Sequence, residues 1–387
     1  MRDATRCVHA PAVSQEGYAS LTVPVHRAST IVYPDGEAFL RRAERGVDGY
    51  TYGLHGTPTT RTLAEQLTRL HGGARTVIVP SGQAAISMVM LTLLAPGDRV
   101  LIPDNAYPPV HTLCAQHLAP RGIDFTVYDP LVGAGIADLI DARTRLVWIE
   151  APGSGTMEVP DVPAIVAAAR ARGVLTGCDN TWATPLLFKP LAHGADFACE
   201  ALTKYVGGHS DLLLGSITVA DVALHRRLRQ TLSALGIGVS PDECSLALRG
   251  METMAVRLAH SGRVAEDFAR RLAAMPQVET VLHPALPSCP GHAAFTRDFK
   301  GASGVFSIVL KAATEPNLAA ALSELKVFAI GASWGGTHSL LAPMEIAPRQ
   351  NGGPWHDAGR LIRLSIGLED PDELWEDLSA TLARLGA

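Results

Sequence analysis

Apolar residues recur three and four apart from about Thr59, so that Leu63, Leu67 and Leu70 share one face until Gly72 and Gly73 interrupt the run. That spacing predicts a helix. Short apolar runs follow at Thr76–Val79, Arg99–Ile102, Phe125–Tyr128, Leu146–Ile149, Val174–Cys178, Phe197–Leu202 and Leu212–Val219. Helical patterns over Ala84–Leu94, Val110–Leu118, Ala164–Ala171 and Val222–Leu235 separate most of them. Short apolar strands alternating with helices imply crossover connections, hence an α/β fold with a mostly parallel sheet covered on both faces. From about Pro241 the texture changes. A helical stretch reaches about Ala274, strand-like runs lie at Val278–Leu282, Val305–Leu310, Val327–Ile330 and Leu361–Ile366, and a closing helix starts near Pro371. The expected organisation is an irregular N-terminal arm (1–56), a large α/β domain (57–250) and a smaller α+β C-terminal domain (251–387).

Composition narrows the class. Of 387 residues, 47% are hydrophobic and 18% charged, which suits a large buried core and not a disordered chain. A net charge of -5 without blocks of like charge argues against nucleic acid as a partner. The start of the chain lacks a secretory apolar run, and no stretch is long enough to span a bilayer, so a cytoplasmic setting is expected. Cys7, Cys114, Cys178, Cys199, Cys244 and Cys289 form no CxxC pair. They read as free thiols rather than zinc ligands or disulfides. The histidines show no ligand-spaced cluster, so no metal is expected.

Four features carry chemistry. Asp179 ends the apolar run Val174–Cys178, and ligands of open α/β sheets bind outside the carboxyl ends of strands. Taken alone it reads as an Asx turn. Lys204 stands in ALTKYVGGHSD, between apolar residues, where its amine pKa would fall; the competing reading is a snorkelling lysine. Ser81, Gly82 and Gln83 lie between a strand and a helix, where free N–H groups and the helix dipole suit a phosphate, with the Thr203 hydroxyl close in sequence to Lys204. Tyr107, in DNAYPP, reads equally as a stacking ring or as a surface turn residue. Lysine for an imine, acid for a pyridinium, phosphate cradle and aromatic face are what pyridoxal 5'-phosphate (PLP) requires of a protein. Arg363, on an alternating strand, offers a guanidinium fork for a substrate carboxylate; the alternative is an exposed edge-strand arginine.

Longer strings strengthen this reading: YGLHGTPT (52–59), YDPL (128–131), APGSGTMEVPDVPAIV (151–166), DNTWATPLLFKPL (179–191), TKYVGGHSD (203–211), HPALP (283–287), SWGG (333–336) and IRLSIGLED (362–370). Together they resemble the Cys/Met-metabolism (γ-family) PLP enzymes, and within them the cystathionine β-lyases. The resemblance implies a fold-type I, aspartate-aminotransferase-like fold and a homotetramer built from catalytic dimers. It implies Lys204 as the Schiff-base lysine, Asp179 as the pyridinium partner and Tyr107 as the stacking ring. Gly82, Gln83 and Thr203 would hold the phosphate. Arg363, helped by Ser333 and Trp334, would bind the substrate carboxylate, and Tyr52 would reach the neighbouring subunit's site. The implied activity is cleavage of L-cystathionine to homocysteine, pyruvate and ammonia, as a step of methionine biosynthesis.

Three departures qualify it. Leu54, followed by His55, stands where the family usually has an arginine that grips the neighbour's phosphate, which implies weaker cofactor retention or compensation by His55 or another cation. Ala201 replaces a frequent serine. Ala332 and Pro109 stand where γ-acting relatives carry Glu and methionine γ-lyases carry Cys, and both favour β-elimination. A cysteine or alkylcysteine lyase, an O-acetylhomoserine sulfhydrylase, or a PLP-binding protein with a mainly regulatory role remain as alternatives.

Overall fold

The computed structural model describes residues 14, 16–46, 49–311, 314, 317–344 and 360–386. Residues 1–13 of the expected arm, Cys7 among them, lie outside the described residues.

Seven strands form the first sheet: β1 (Arg75–Val79), β2 (Arg99–Pro103), β3 (Asp124–Tyr128), β4 (Thr144–Glu150), β5 (Leu175–Asp179), β6 (Phe197–Glu200) and β7 (Gly215–Val219). Their order is β1-β7-β6-β5-β4-β2-β3. Only β7 runs against its neighbours. The others are parallel, so β1, β2, β4, β5 and β6 all point their carboxyl ends to one edge. Period-two alternation places successive side chains of β4 in opposite layers. Val147 and Ile149 join Leu63, Leu67, Ile165 and Val166 on one face. Leu146 and Trp148 join Met88, Val89 and Val100 on the other. Both faces are thus buried, as a parallel sheet needs.

Capping sets the helix ends. Thr57 and Thr60 form a capping box at the start of the helix Pro58–His71, which stops at the left-handed Gly72. Ser81 caps Gly82–Leu93, and Asp161 caps Val162–Ala171. The pattern expected over Val110–Leu118 is a helix over Pro108–Leu113, followed by a looser turn, Cys114–Leu118, with bonds five residues apart.

The second sheet joins β8 (Val278–Leu282), β9 (Val305–Leu310), β10 (Ala329–Ile330), β11 (Leu340–Met344) and β12 (Leu361–Ser365) in the order β10-β11-β12-β9-β8. All neighbours are antiparallel except β10 and β11. β10 is shorter than the run Val327–Ile330 suggests. The Asp377 carboxylate accepts from the N–H groups of Lys326, Val327 and Phe328 at 2.8–2.9 Å, which takes them out of the ladder. The sequence pattern missed β11.

One 32-residue helix, Pro241–Leu272, runs through residues 250 and 251. Its Cys244, Ala247, Met251 and Leu258 pack in the core of the first sheet. Its Val264, Phe268, Ala269 and Leu272 pack with β9, β12 and the helix Pro371–Ala383 in the second.

Candidate active site

The shared carboxyl edge of the first sheet opens into a cavity of about 220 Å³. Turns after four strands line it, with Ser81, Gly82 and Gln83 after β1, Tyr107 after β2, Pro152 to Gly155 after β4, and Lys204 after β6. Asp179 is the last residue of β5. The second sheet closes the far side with Ala332, Trp334 and Arg363.

Lys204 sits on a tight turn. Its N–H donates to the Ala201 carbonyl at 3.1 Å, and its own carbonyl accepts from Gly208 at 2.7 Å. The amine Nζ donates to Ser333 Oγ at 2.9 Å and lies 5.2 Å from the Trp334 ring centre. Burial and the nearby Arg363 cation lower its pKa to about 8, against the pull of Asp179. Gly335, left-handed at φ 82°, lets the loop carrying Ser333 and Trp334 lie on the lysine's main chain. A Cβ there would stand 3.0 Å from Tyr205 N and 3.1 Å from the Lys204 carbonyl carbon.

Asp179 Oδ1 accepts from the Thr181 N–H at 2.9 Å. Burial raises its pKa, and hydrogen bonds from Thr181 and the charge of Lys204 oppose the rise. A carboxylate so placed is incompletely compensated, and a cation in the cavity would restore its charge.

The phosphate cradle has the form expected of a helix start. Ser81 Oγ accepts from Ala84 N–H at 3.0 Å, while the N–H groups of Gly82 and Gln83 have no place in the helical ladder. Gly82 is pressed against Ala201: a Cβ on it would lie 2.5 Å from that side chain. Gln83 Oε1 is buried without a hydrogen-bond partner, and Gln83 Nε2 donates to the Pro109 carbonyl at 3.2 Å. Thr203 lines the cavity, but its hydroxyl exchanges hydrogen bonds of 3.1 Å in both directions with the main chain of Leu214. Orphaned donors at one end, an under-compensated acid at another and a neutralisable amine between them fit PLP.

Arg363 lies mid-strand in β12, hydrogen-bonded on both sides, and is 6% exposed, so the edge-strand alternative fails. Its guanidinium donates to the Ala332 carbonyl, and burial lowers its pKa. Tyr107 lines the cavity and is 43% exposed.

Tyr52 stands outside the cavity of its own chain and is 49% exposed. Leu54 and His55 line a separate recess with Arg61, Arg75 and Arg229. Burial and the charges of Arg229 and Arg61 lower the His55 pKa, so its ring is neutral near pH 7.

Sequence reasoning missed Glu150, Met157, Thr181 and Leu213 in the lining. Glu150 had a visible signal, being an acid at the end of an apolar strand, as Asp179 is.

Residues 4–383 match the family of Cys/Met metabolism PLP-dependent enzymes. The chain belongs to that family. As a Cys/Met metabolism PLP-dependent enzyme it shares 41% identity over 392 residues with a putative cystathionine beta-lyase of Rhizobium johnstonii, covering 99% of this chain and 96% of that one. It is 39% identical to an L-alanine/L-glutamate racemase of Wolbachia pipientis wMel (95% and 93% covered) and 40% identical to a cystathionine beta-lyase of Bordetella avium (97% and 95%). Among solved structures, cystathionine gamma synthase of Xanthomonas oryzae pv. oryzae, crystallised with aminoacrylate and cysteine, superposes with a TM-score of 0.86 at 32% identity, over 96% of this chain and 95% of that one. The fold is the α/β fold of these PLP enzymes, with a mostly parallel sheet and a second sheet. No helix among the described residues is long and apolar enough to cross a membrane.

Proposed function

We propose that this enzyme is a carbon–sulfur β-lyase that cleaves L-cystathionine to homocysteine, pyruvate and ammonia. One observation carries the reading: an amine with a pKa of about 8 and a buried guanidinium face one cavity, with an acid at the end of the neighbouring strand. PLP bound there supplies an electron sink for the pair left behind when the substrate's Cα proton departs.

The residues divide the work. Arg363 takes the α-carboxylate in a bidentate grip, and Trp334 flanks it. Ser333 holds the Lys204 amine by its hydrogen bond and so aims it. Lys204 would anchor the cofactor, and its amine, when free, would take up the substrate's Cα proton as general base. Asp179 would keep the cofactor's pyridine nitrogen protonated. Ser81, Gly82 and Gln83 would hold the phosphate, with Thr203 beside them, its N–H and hydroxyl both engaged by the main chain of Leu214. Tyr107 would cover the cofactor's ring, and Tyr52 would come from a neighbouring copy. The half-exposed Tyr52 and the exposed Tyr18, Leu21 and Val32 of the arm support assembly into a homotetramer of catalytic dimers. Residues 1–56 act as the arm, and the division between large and small domains falls within the long helix. Five buried free cysteines suit a cytoplasmic setting.

Ala332 and Pro109, in place of the residues of γ-acting relatives, support β- over γ-cleavage. The test is a panel of cystathionine, cysteine and O-acetylhomoserine with purified enzyme and keto-acid detection. Pyruvate from cystathionine is the expected product; 2-oxobutyrate as the main product would overturn the assignment.

The racemase-named relative favours a second reading, since racemisation begins with the same Cα deprotonation. Chiral analysis of L-alanine and L-glutamate incubations decides it. D-enantiomer formed faster than pyruvate is formed from cystathionine would make racemisation the principal activity.

A further inference from the structure

Two buried carboxyl groups hold the loop between β2 and Tyr107, and neither has a part in the chemistry above. Glu150, 7% exposed, ends β4; its Oε2 accepts from the Tyr107 N–H at 2.7 Å. Glu158, 1% exposed, accepts from the Asn105 side chain at 3.2 Å. The Asn105 carbonyl in turn accepts from the Ser154 N–H at 2.9 Å. The segment after β4 therefore grips the segment after β2 on both sides of Ala106. Tyr107 starts the short helix Pro108–Leu113, so its N–H is one of the donors a helix leaves unpaired, and Glu150 satisfies it.

We propose that Glu150 is a positioning residue: by fixing the main chain of Tyr107 it decides where the phenol ring stands over the cofactor. The inference rests on the reading of the cavity as the PLP site, with Tyr107 as its aromatic face. In parallel register Glu150 pairs with Asp179, which puts both carboxyl groups on one face of the sheet. Burial and the Asp179 charge push the Glu150 pKa well up, which favours its neutral acid form. A neutral acid accepts the Tyr107 N–H through a carbonyl oxygen, as a primary amide would. Glutamine should therefore replace Glu150 in this duty, and alanine should not.

The experiment compares Glu150→Gln, Glu150→Ala, Tyr107→Ala and the double variant Glu150→Ala/Tyr107→Ala as purified enzyme. Readouts are the visible circular dichroism of bound PLP, the PLP dissociation constant, kcat and KM. Glu150→Ala is expected to weaken PLP binding about tenfold and change the visible dichroism, the size expected when a buried donor loses its acceptor. Glu150→Gln should stay within about threefold of the parent, and Glu150→Ala should add little in the Tyr107→Ala background, because both act on one contact. Glu150→Ala with unaltered dichroism and PLP affinity would overturn the proposal, as would losses that simply add in the double variant. If Glu150→Ala does not fold, failure of Glu150→Gln to hold the parent dichroism overturns it equally. Lys204→Ala separates this from the site reading: if that variant keeps both the parental visible band and its reduction by borohydride, the cavity assignment fails, whatever Glu150 does.

Discussion

The two sheets meet the cavity in different ways. The first offers the ends of its strands: Gly82 and Gln83, Tyr107, Asp179 and Lys204 all sit on or just past a carboxyl terminus, where main-chain groups turn away from the ladder. The second offers one side chain from the middle of a strand, Arg363, and one loop, Ala332 to Gly335. The first arrangement collects groups for an elongated charged cofactor with a phosphate at one end and a ring nitrogen at the other. The second presents a single fork, which is enough for a carboxylate. Cofactor binding should thus fail with damage to the first wall, and substrate binding with damage to the second.

The sharpest test of that division is Lys204→Ala. It should cut kcat by about 10⁴-fold, at the upper end of what a general base contributes, and abolish the borohydride-sensitive absorbance. Asp179→Ala comes next: removal of the preorganised charge should cost about 10²–10³-fold in kcat and weaken PLP retention, with KM little changed. Arg363→Ala should do the reverse. KM should rise by about 10–100-fold, the loss of about 1.5–3 kcal/mol for hydrogen bonds to a charged group, while PLP affinity stays at the parental value. An equal loss of PLP affinity in Arg363→Ala would break the comparison. Ser333→Ala removes one neutral hydrogen bond, worth about 1 kcal/mol, so a fall of about fivefold in kcat is expected.

The last test needs no substitution, only a change of pH. The Lys204 ammonium must lose its proton before the amine can attack an aldehyde, and its pKa is lowered to about 8. Stopped-flow uptake of PLP by the apoenzyme should therefore quicken with pH, about tenfold per unit below 8, and level off above it. The same shift bears on stability. Between pH 8 and the ordinary lysine range near 10.5 the unfolded chain binds the extra proton, so the apoenzyme gains stability as pH rises through that window. Pyridoxal phosphate bound to the amine should remove both trends.

Local pattern made the first wall readable. Asp179 and Lys204 follow apolar runs, and a strand end in an α/β sheet is already a candidate site. The uninterrupted apolar run Leu146–Ile149 likewise suited a strand buried on both faces, as Val147 and Ile149 on one side and Leu146 and Trp148 on the other are. What stayed hidden is contact between distant segments. Lys204 and Ser333 are 129 positions apart, and only the folded chain brings that amine to that hydroxyl. Glu150 shows in the sequence as an acid ending an apolar strand, but its duty does not, because its partner is a main-chain N–H that no side-chain pattern records. Thr203 was credited with a free hydroxyl because its exchange with Leu214 is a tertiary pairing. β11 escaped because Pro343 interrupts an already short run, whereas the ladder to β12 accommodates it.

Among the described residues, the long helix Pro241–Leu272 carries the backbone from one sheet to the other. At about 1.5 Å per residue it is a rod of about 48 Å, shared by the two cores. A covalent passage through a continuous helix is no swivel. Trp182 Nε1 donating to Val305 O and Tyr205 accepting from Gly304 N–H rivet the halves further. The cavity thus lies between two sheets that share one continuous beam and two cross-braces, so the guanidinium of one wall and the amine of the other are set at a distance by the same piece of backbone.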